Sequence, residues 1–153
     1  MKRPNWDNYF MNIANAVKER SNCITSGAKG AILVKDKRVI TTGYNGTPIG
    51  IKNCFDGGCE RCTKREKGEI QSGQDLDKCI CLHAEQNAIL QAAFHGASTN
   101  GSTLYSTHNP CSECAKMIIN AGIKRVVSAV HYADDFGSRL MKDAGIELVR
   151  MEE

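Results

Sequence analysis

STLYSTHNPCSECAKMIINAGIKRVVSAV, residues 102–130, reads as a strand, a helix and a second strand in close succession. STLYST (102–107) is a short β-rich run. Residues 111–121 read as a helix closed by Gly122, a natural C-terminal stop, and RVVSAV (125–130) is a largely apolar run of the kind found inside a sheet. Toward the C-terminus a helix is predicted over 135–144, followed by IELV as a closing strand. A connection of that length is not a tight hairpin, so the last two strands run parallel.

Upstream of this stretch a helix begins near His83 and runs through Ala84, Ala88, Ile89, Ala92 and Ala93 to Gly96. Before it, AILV (31–34) and RVITTG (38–43) flank Asp36-Lys37 and read as an antiparallel hairpin. Trp6, Tyr9, Phe10, Ile13 and Val17 recur at three- and four-residue steps, which predicts an amphipathic helix over 6–20 with its aromatics in the core. The order α-β-β-α-β-α-β-α-β gives an α/β fold, a three-layer α/β/α sandwich around a five-stranded mixed sheet. Residues 1–153 are read as a single domain, with a Cys-rich loop insertion at about 44–81 that shows neither helical nor strand period. A loop so long is normally functional or stapled.

Composition narrows the chemistry. Twenty basic against seventeen acidic residues give a net charge of +3, well short of the excess that a phosphate backbone demands, so a small anionic ligand fits better than nucleic acid. The N-terminus MKRPNWDNYF has no apolar run of signal-peptide length, and no stretch approaches a membrane span, which makes the cytoplasm the expected compartment. Thiols stay reduced there. Eight cysteines in so short a chain therefore point to metal or catalysis more than to disulfides.

Two pieces carry that chemistry: His83-Ala84-Glu85 at the start of one predicted helix, and Pro110-Cys111-Ser112-Glu113-Cys114 at the start of another. Cys111 and Cys114 are three apart, so on a helix both sulfurs face one side, and a helix N-terminus favours thiolates. One imidazole and two thiolates supply three ligands for Zn2+ and leave a fourth position open, as in catalytic sites. Glu85 lies about 200° around the helix from His83, free to reach over the open position as proton carrier. His-x-Glu followed by Pro-Cys-x-x-Cys is the known signature of zinc-dependent base deaminases, and the chain matches it by pattern.

CLHAEQNAIL (81–90), PCSECAKMIINAGIKRVV (110–127) and GYNGTPIG (43–50) resemble the deoxycytidylate (dCMP) deaminases, within the cytidine deaminase-like superfamily. The resemblance implies the cytidine deaminase fold, catalytic zinc at His83, Cys111 and Cys114, and Glu85 as proton shuttle. It implies conversion of dCMP to dUMP and ammonia, supplying dUMP for thymidylate synthesis. It also implies a homo-oligomer, a hexamer, activated by dCTP with Mg2+ accompanying the triphosphate, and inhibited by dTTP. By the same resemblance Tyr44, Asn45 and Gly46 contribute to substrate and effector binding, Asn45 at the place of a sugar-contacting asparagine; Asn-Gly is also an ordinary turn. Arg20 and Ser21 match the family's Arg-Ser pair, expected at a phosphate, although an exposed cation ending a helix reads the same way. Where many members then carry Asp-Pro-Asn, this chain has Asn22-Cys23-Ile24-Thr25.

Cys23, Cys54, Cys59, Cys62, Cys79 and Cys81 all precede the His83 helix. A Cys-x2-Cys and a Cys-x-Cys pair suit a structural zinc, and some relatives hold a second zinc in this region. Which four would bind is open, as is the alternative that six thiolates share two ions. Two rival functions remain in view: a tRNA-type deaminase acting on a nucleic-acid base, which would need a basic track and aromatic platforms, and a non-catalytic zinc-stapled binding module, which Glu85 argues against. Only 6% of residues are aromatic, and Lys64-Arg65-Glu66-Lys67 reads as a solvated face.

Overall fold

The computed structural model describes residues 1–130 and 136–151. The hairpin comes first among the strands: β1 (Gly30–Lys35) and β2 (Arg38–Tyr44) pair antiparallel. Asp36 and Lys37 both take left-handed φ (52° and 58°), the conformation of a two-residue turn whose twist matches the strands it joins. β3 (Thr103–Ser106), β4 (Arg125–Ser128) and β5 (Glu147–Arg150) complete a five-stranded sheet of order β2-β1-β3-β4-β5. The β3–β4 and β4–β5 pairs are both parallel, as a helical crossover requires in each case.

The period-2 geometry of the strands divides the core. Leu33, Leu104, Val126 and Leu148 stand in one row across the sheet, and Ile32, Tyr105, Val127 and Val149 in the next, pointing to the opposite face. On the second face lies α1 (Trp6–Lys18), which contributes Phe10, Met11 and Ala14. On the first lie α3 (Ala84–His95), α4 (Ser112–Asn120) and α5 (Phe136–Asp143), through Ala88, Ala92, Cys114, Ile118 and Met141 among others. Right-handed crossovers that step in one direction along a sheet deposit their helices on one face, which is why α4 and α5 are neighbours.

Local differences from the sequence reading have physical causes. α1 stops at Lys18 because the next amides tighten, Glu19, Arg20 and Ser21 bonding the carbonyls three residues back. Of its aromatics only Phe10 is core; Trp6 and Tyr9 are about half exposed, Trp6 stacked on Phe10 and lying under the Lys37 ammonium. The segment 44–81, expected to be irregular throughout, contains a helix, α2 (Glu60–Glu66), with 3-10 turns at Cys54–Asp56 and Leu76–Lys78. The inward face of α2 carries Arg61 and Cys62, not hydrocarbon, so no apolar period announced it. Lys64, Glu66 and Lys67 are exposed, as expected of a solvated run. The helix predicted over 135–144 is present as α5; residue 135 lies outside the described residues.

α3 lies directly against β2. Its inward residues are small (Ala84, Ala88, Ala92), and a Cβ at Gly43 of β2 would overlap the Ala84 carbonyl and the Ala88 amide. Thr41 Oγ1 donates to Ala88 O at 2.8 Å from the same strand. No helix of the described residues is long and apolar enough to cross a membrane.

Candidate metal centre and its cleft

The end of β3 and the first turns of α3 and α4 converge. His83 is the N-cap of α3, its backbone amide satisfied by Gln86 Oε1 at 2.7 Å. Leu82 just before it pairs with Gly46, through Leu82 N to Gly46 O at 2.8 Å and Gly46 N to Leu82 O at 3.2 Å. Cys111 caps α4 and Cys114 occupies its third position. His83 Nδ1 is 3.4 Å from Cys111 Sγ and 3.3 Å from Cys114 Sγ. A tetrahedron with zinc–nitrogen and zinc–sulfur bonds of ordinary length has an N···S edge of about 3.5 Å. The donor set and its spacing thus fit zinc, and the three residues could hold it.

The electrostatics agree with that chemistry. The Cys111 thiol is brought down to about 3, first by the hydrogen bond from Cys114 and also by His83, while the same bond and burial push Cys114 up. Cys111 in turn raises His83. Glu85, in the first turn of α3 and 3% exposed, accepts from Ser106 Oγ at 2.6 Å on Oε1, and its Oε2 lies 3.7 Å from Cys114 Sγ. A buried carboxylate thus stands beside the three donors without being one of them.

These groups open on a cleft of about 480 Å3, whose lining includes Lys29, Asn45, Arg61, His83, Glu85, His108 and Asn109. It lies at the C-terminal end of β3, where open α/β sheets place their ligands. A larger hollow of about 900 Å3, lined among others by Arg3, Trp6, Tyr9, Lys37 and Arg38, has no cysteine, histidine or carboxylate among the described residues of its wall.

The other residues singled out from sequence fall in different places. Asn45 is buried in the cleft wall and holds the chain around it: its Oδ1 accepts from Lys29 N at 2.9 Å and from Ser21 Oγ, and its Nδ2 donates to Gly27 O at 2.8 Å. Ser21 is therefore a buried support of Asn45. Arg20 is exposed and outside the cleft lining, so the structure does not bring it to the pocket. Tyr44 is partly exposed, its carbonyl accepting from Asn87 Nδ2 at 2.7 Å. Gly46 leaves room for the Asn22 amide, which a Cβ would overlap. Asn22, where the chain departs from the family's usual residues, is an organising group: its Oδ1 accepts from Thr47 N at 3.2 Å and Cys54 N at 3.3 Å. Sequence reasoning passed over Lys29, Arg61, His108 and the Ser106 hydroxyl. The end of β3 was the available signal for the last two, whereas nothing local marks Lys29 or Arg61. His108 is held below the ordinary histidine range by burial and by the nearby Lys29 and Lys18 charges.

The remaining cysteines gather as well. Cys23, Cys54, Cys62 and Cys81 lie with their sulfurs within 4.8 Å of one another, and so do Cys59, Cys62, Cys79 and Cys81. All eight cysteines are free.

The profile of the cytidine and deoxycytidylate deaminase zinc-binding region matches residues 4–130. The chain is 44% identical over 147 residues to the deoxycytidylate deaminase of Schizosaccharomyces pombe, covering 95% of this chain and 44% of that protein, so it spans less than half the length of that relative. It is 42% identical over 131 residues to the deoxycytidylate deaminase of Mycobacterium phage D29, covering 83% of this chain and 96% of that one. Among solved structures, the dCMP deaminase of cyanophage S-TIM5 in complex with dCMP and dUMP superposes with a TM-score of 0.78 at 34% identity, covering 99% of this chain and 100% of that chain.

Proposed function

The chain belongs to the cytidine and deoxycytidylate deaminase family, and from that premise we propose that it hydrolyses dCMP to dUMP and ammonia. The observation that carries the reading is the placement of Glu85, buried beside the His83, Cys111 and Cys114 donors and oriented by Ser106. His83, Cys111 and Cys114 would hold the zinc, which when bound supplies an acidified water as nucleophile. Glu85 would take a proton from the attacking water, deliver it to N3 of the cytosine ring, and then carry the second proton to the 4-amino group. The water oxygen becomes the C4 carbonyl, the C4–N bond breaks, and ammonia leaves. Asn45 lines the cleft where the sugar is expected, and the cations of the lining, Lys29 and Arg61, suit a monophosphate better than the outlying Arg20 does.

The finer expectations form part of the same proposal. The enzyme is a homo-oligomer of hexamer type, stimulated by dCTP with Mg2+ and inhibited by dTTP, with Tyr44 and Gly46 on the segment that contacts nucleotide, and its product feeds thymidylate synthesis. Exposed apolar residues on α3 support the oligomer.

Ammonia release from dCMP, dCTP, deoxycytidine, CMP and a short single-stranded DNA, with and without dCTP or dTTP, tests the reading on wild type and Glu85→Ala. Turnover confined to dCMP and abolished by the substitution is expected. Turnover on the oligonucleotide alone would move the activity to nucleic-acid bases, and zinc binding without any turnover would leave a binding module.

A further inference from the structure

The third buried cluster of this fold is made of thiols. Cys23, Cys54, Cys59 and Cys62 form it, with Ile24, Cys79 and Cys81 packed against it. Apolar residues of the long segment around it point away: Ile49 is 99% exposed, Phe55 66% and Leu76 62%. Hydrophobic burial therefore does not order this segment, and something else must offset the entropy of fixing it.

The sulfur positions say what. The two four-sulfur sets, each within 4.8 Å, share Cys62 and Cys81. Cys62 and Cys79 are 3.8 Å apart and Cys59 and Cys79 4.0 Å, close to the S···S edge of about 3.8 Å in a tetrahedron with ordinary zinc–sulfur bonds. Two tetrahedra with a common edge need six ligands, two of them in both polyhedra. The chain pattern matches: the Cys-x2-Cys and Cys-x-Cys pairs each give one shared and one unshared sulfur, and Cys23 and Cys54 close the other end.

The backbone is turned toward sulfur as well. Amides of Thr25 and Ser26 bond to Cys23, that of Ile24 to Cys54, those of Cys62 and Ile80 to Cys59, and that of Cys81 to Cys79. Thr25 Oγ1 lies 3.3 Å from Cys62 Sγ. Donors so arranged favour thiolates over thiols.

We propose that the six cysteines form one binuclear thiolate cluster holding two zinc ions, with Cys62 and Cys81 bridging, Cys23 and Cys54 terminal on one ion, and Cys59 and Cys79 terminal on the other. Six thiols release six protons to solvent and two dications bind, which leaves a net charge of −2 on the cluster. A single four-thiolate site would bury two idle thiols against a filled tetrahedron, and either choice of four sulfurs uses both shared residues, so the geometry gives no ground for preferring one set. Zinc is favoured over harder cations because all donors are soft sulfur in tetrahedral array. Cys81 is two residues before His83, and Cys23, Cys79 and Cys81 line the cleft, so the cluster also builds one wall of the site.

The inference rests on the sulfur geometry and stands apart from the deaminase reading. Native mass spectrometry with elemental analysis of zinc-loaded protein gives the ion count, first for wild type and then for the His83→Ala, Cys111→Ser, Cys114→Ser triple variant. Three ions are expected in the first and two in the second. Replacement of zinc by 113Cd in the triple variant should give two resonances with mutual coupling through the shared sulfurs. Cys59→Ser should keep one ion of the cluster. Two ions in wild type, a single cadmium resonance, two uncoupled ones, or disulfides in the purified protein would each overturn the cluster. If a variant fails to fold, the ion count of wild type decides between three and two.

Discussion

Ser106 Oγ donates a 2.6 Å hydrogen bond to Oε1 of Glu85, joining the last residue of β3 to the first turn of α3. The bond fixes the carboxylate that the proposed reaction needs as its proton carrier. A hydrogen bond to a charged group contributes about 1.5–3 kcal/mol, and a carboxylate free to rotate would spend less time over the ring. Ser106→Ala should therefore lower kcat for dCMP by about tenfold or more with little change in KM and no loss of zinc, and Ser106→Thr should restore it. Glu85→Gln, which removes the proton carrier itself, should cost roughly 10²–10⁴ in kcat. Steady-state kinetics alongside zinc content check both. A Ser106→Ala enzyme within twofold of wild type would detach this bond from catalysis.

Under the proposed function Lys29 is the cation that tells a nucleotide from a nucleoside. Its charge acts on both His83 and His108 across the cleft, and its backbone amide is held by Asn45. A cation there meets the 5′-phosphate of a nucleotide and has nothing to meet on a nucleoside. Lys29→Ala should raise KM for dCMP by about tenfold, roughly 1.4 kcal/mol, with little change in kcat. A fall in kcat as large as the rise in KM, or a loss of folded protein, would make Lys29 a structural residue.

The parts of the molecule legible in the sequence are those whose signals are periodic or chemically rare. The short β-rich runs of β1 and β2, the largely apolar run of β4 and the closing IELV gave the sheet, because a strand inside a sheet must be covered whatever the neighbours are. His83, Glu85, Cys111 and Cys114 were legible because that pattern has few other uses. α2 was not, since its buried face is Cys62 and Arg61 and carries no apolar period. Lys29 and Arg61 were not, because a lysine and an arginine are ordinary anywhere, and only the folding of a loop and α2 onto one cleft distinguishes them. Arg20, conspicuous by resemblance, ends on the outside of that cleft.

Asp7 and Arg125 make acid stability a test of the fold. Arg125 grips both oxygens of Asp7, at 2.9 and 2.8 Å, and Tyr105 OH donates to the same carboxylate at 2.7 Å, which ties α1 to β3 and β4. The Arg125 guanidinium holds the Asp7 carboxyl below its ordinary 3.8. A group whose pKa is lower folded than unfolded contributes stability above its unfolded pKa and loses it as pH falls toward the folded value. Urea unfolding should therefore show wild type losing stability below about pH 4, with Asp7→Asn less stable by about 1–2 kcal/mol at pH 7 and flatter across that acid range. Parallel curves for the two proteins would remove Asp7 as a source of the acid loss.

An exposed stripe on α3 tests the proposed oligomer. Leu90 and Phe94, four residues apart on one face of the helix, are 50% and 81% exposed, and Met117 on the adjoining α4 is 41% exposed. The opposite face of α3 is already packed on the sheet through Ala88 and Ala92, so among the described residues this stripe faces outward. Burying a phenylalanine contributes about 1.5–3 kcal/mol, and symmetric assembly repeats the contact at every equivalent interface. Light scattering on wild type should give a multiple of 16.7 kDa. Phe94→Glu, which places a charge in the centre of the stripe, should shift the distribution toward the monomer with an unchanged circular dichroism spectrum. A wild-type protein that scatters as a monomer at every concentration would leave the stripe without a partner copy and would withdraw the oligomer from the proposed function.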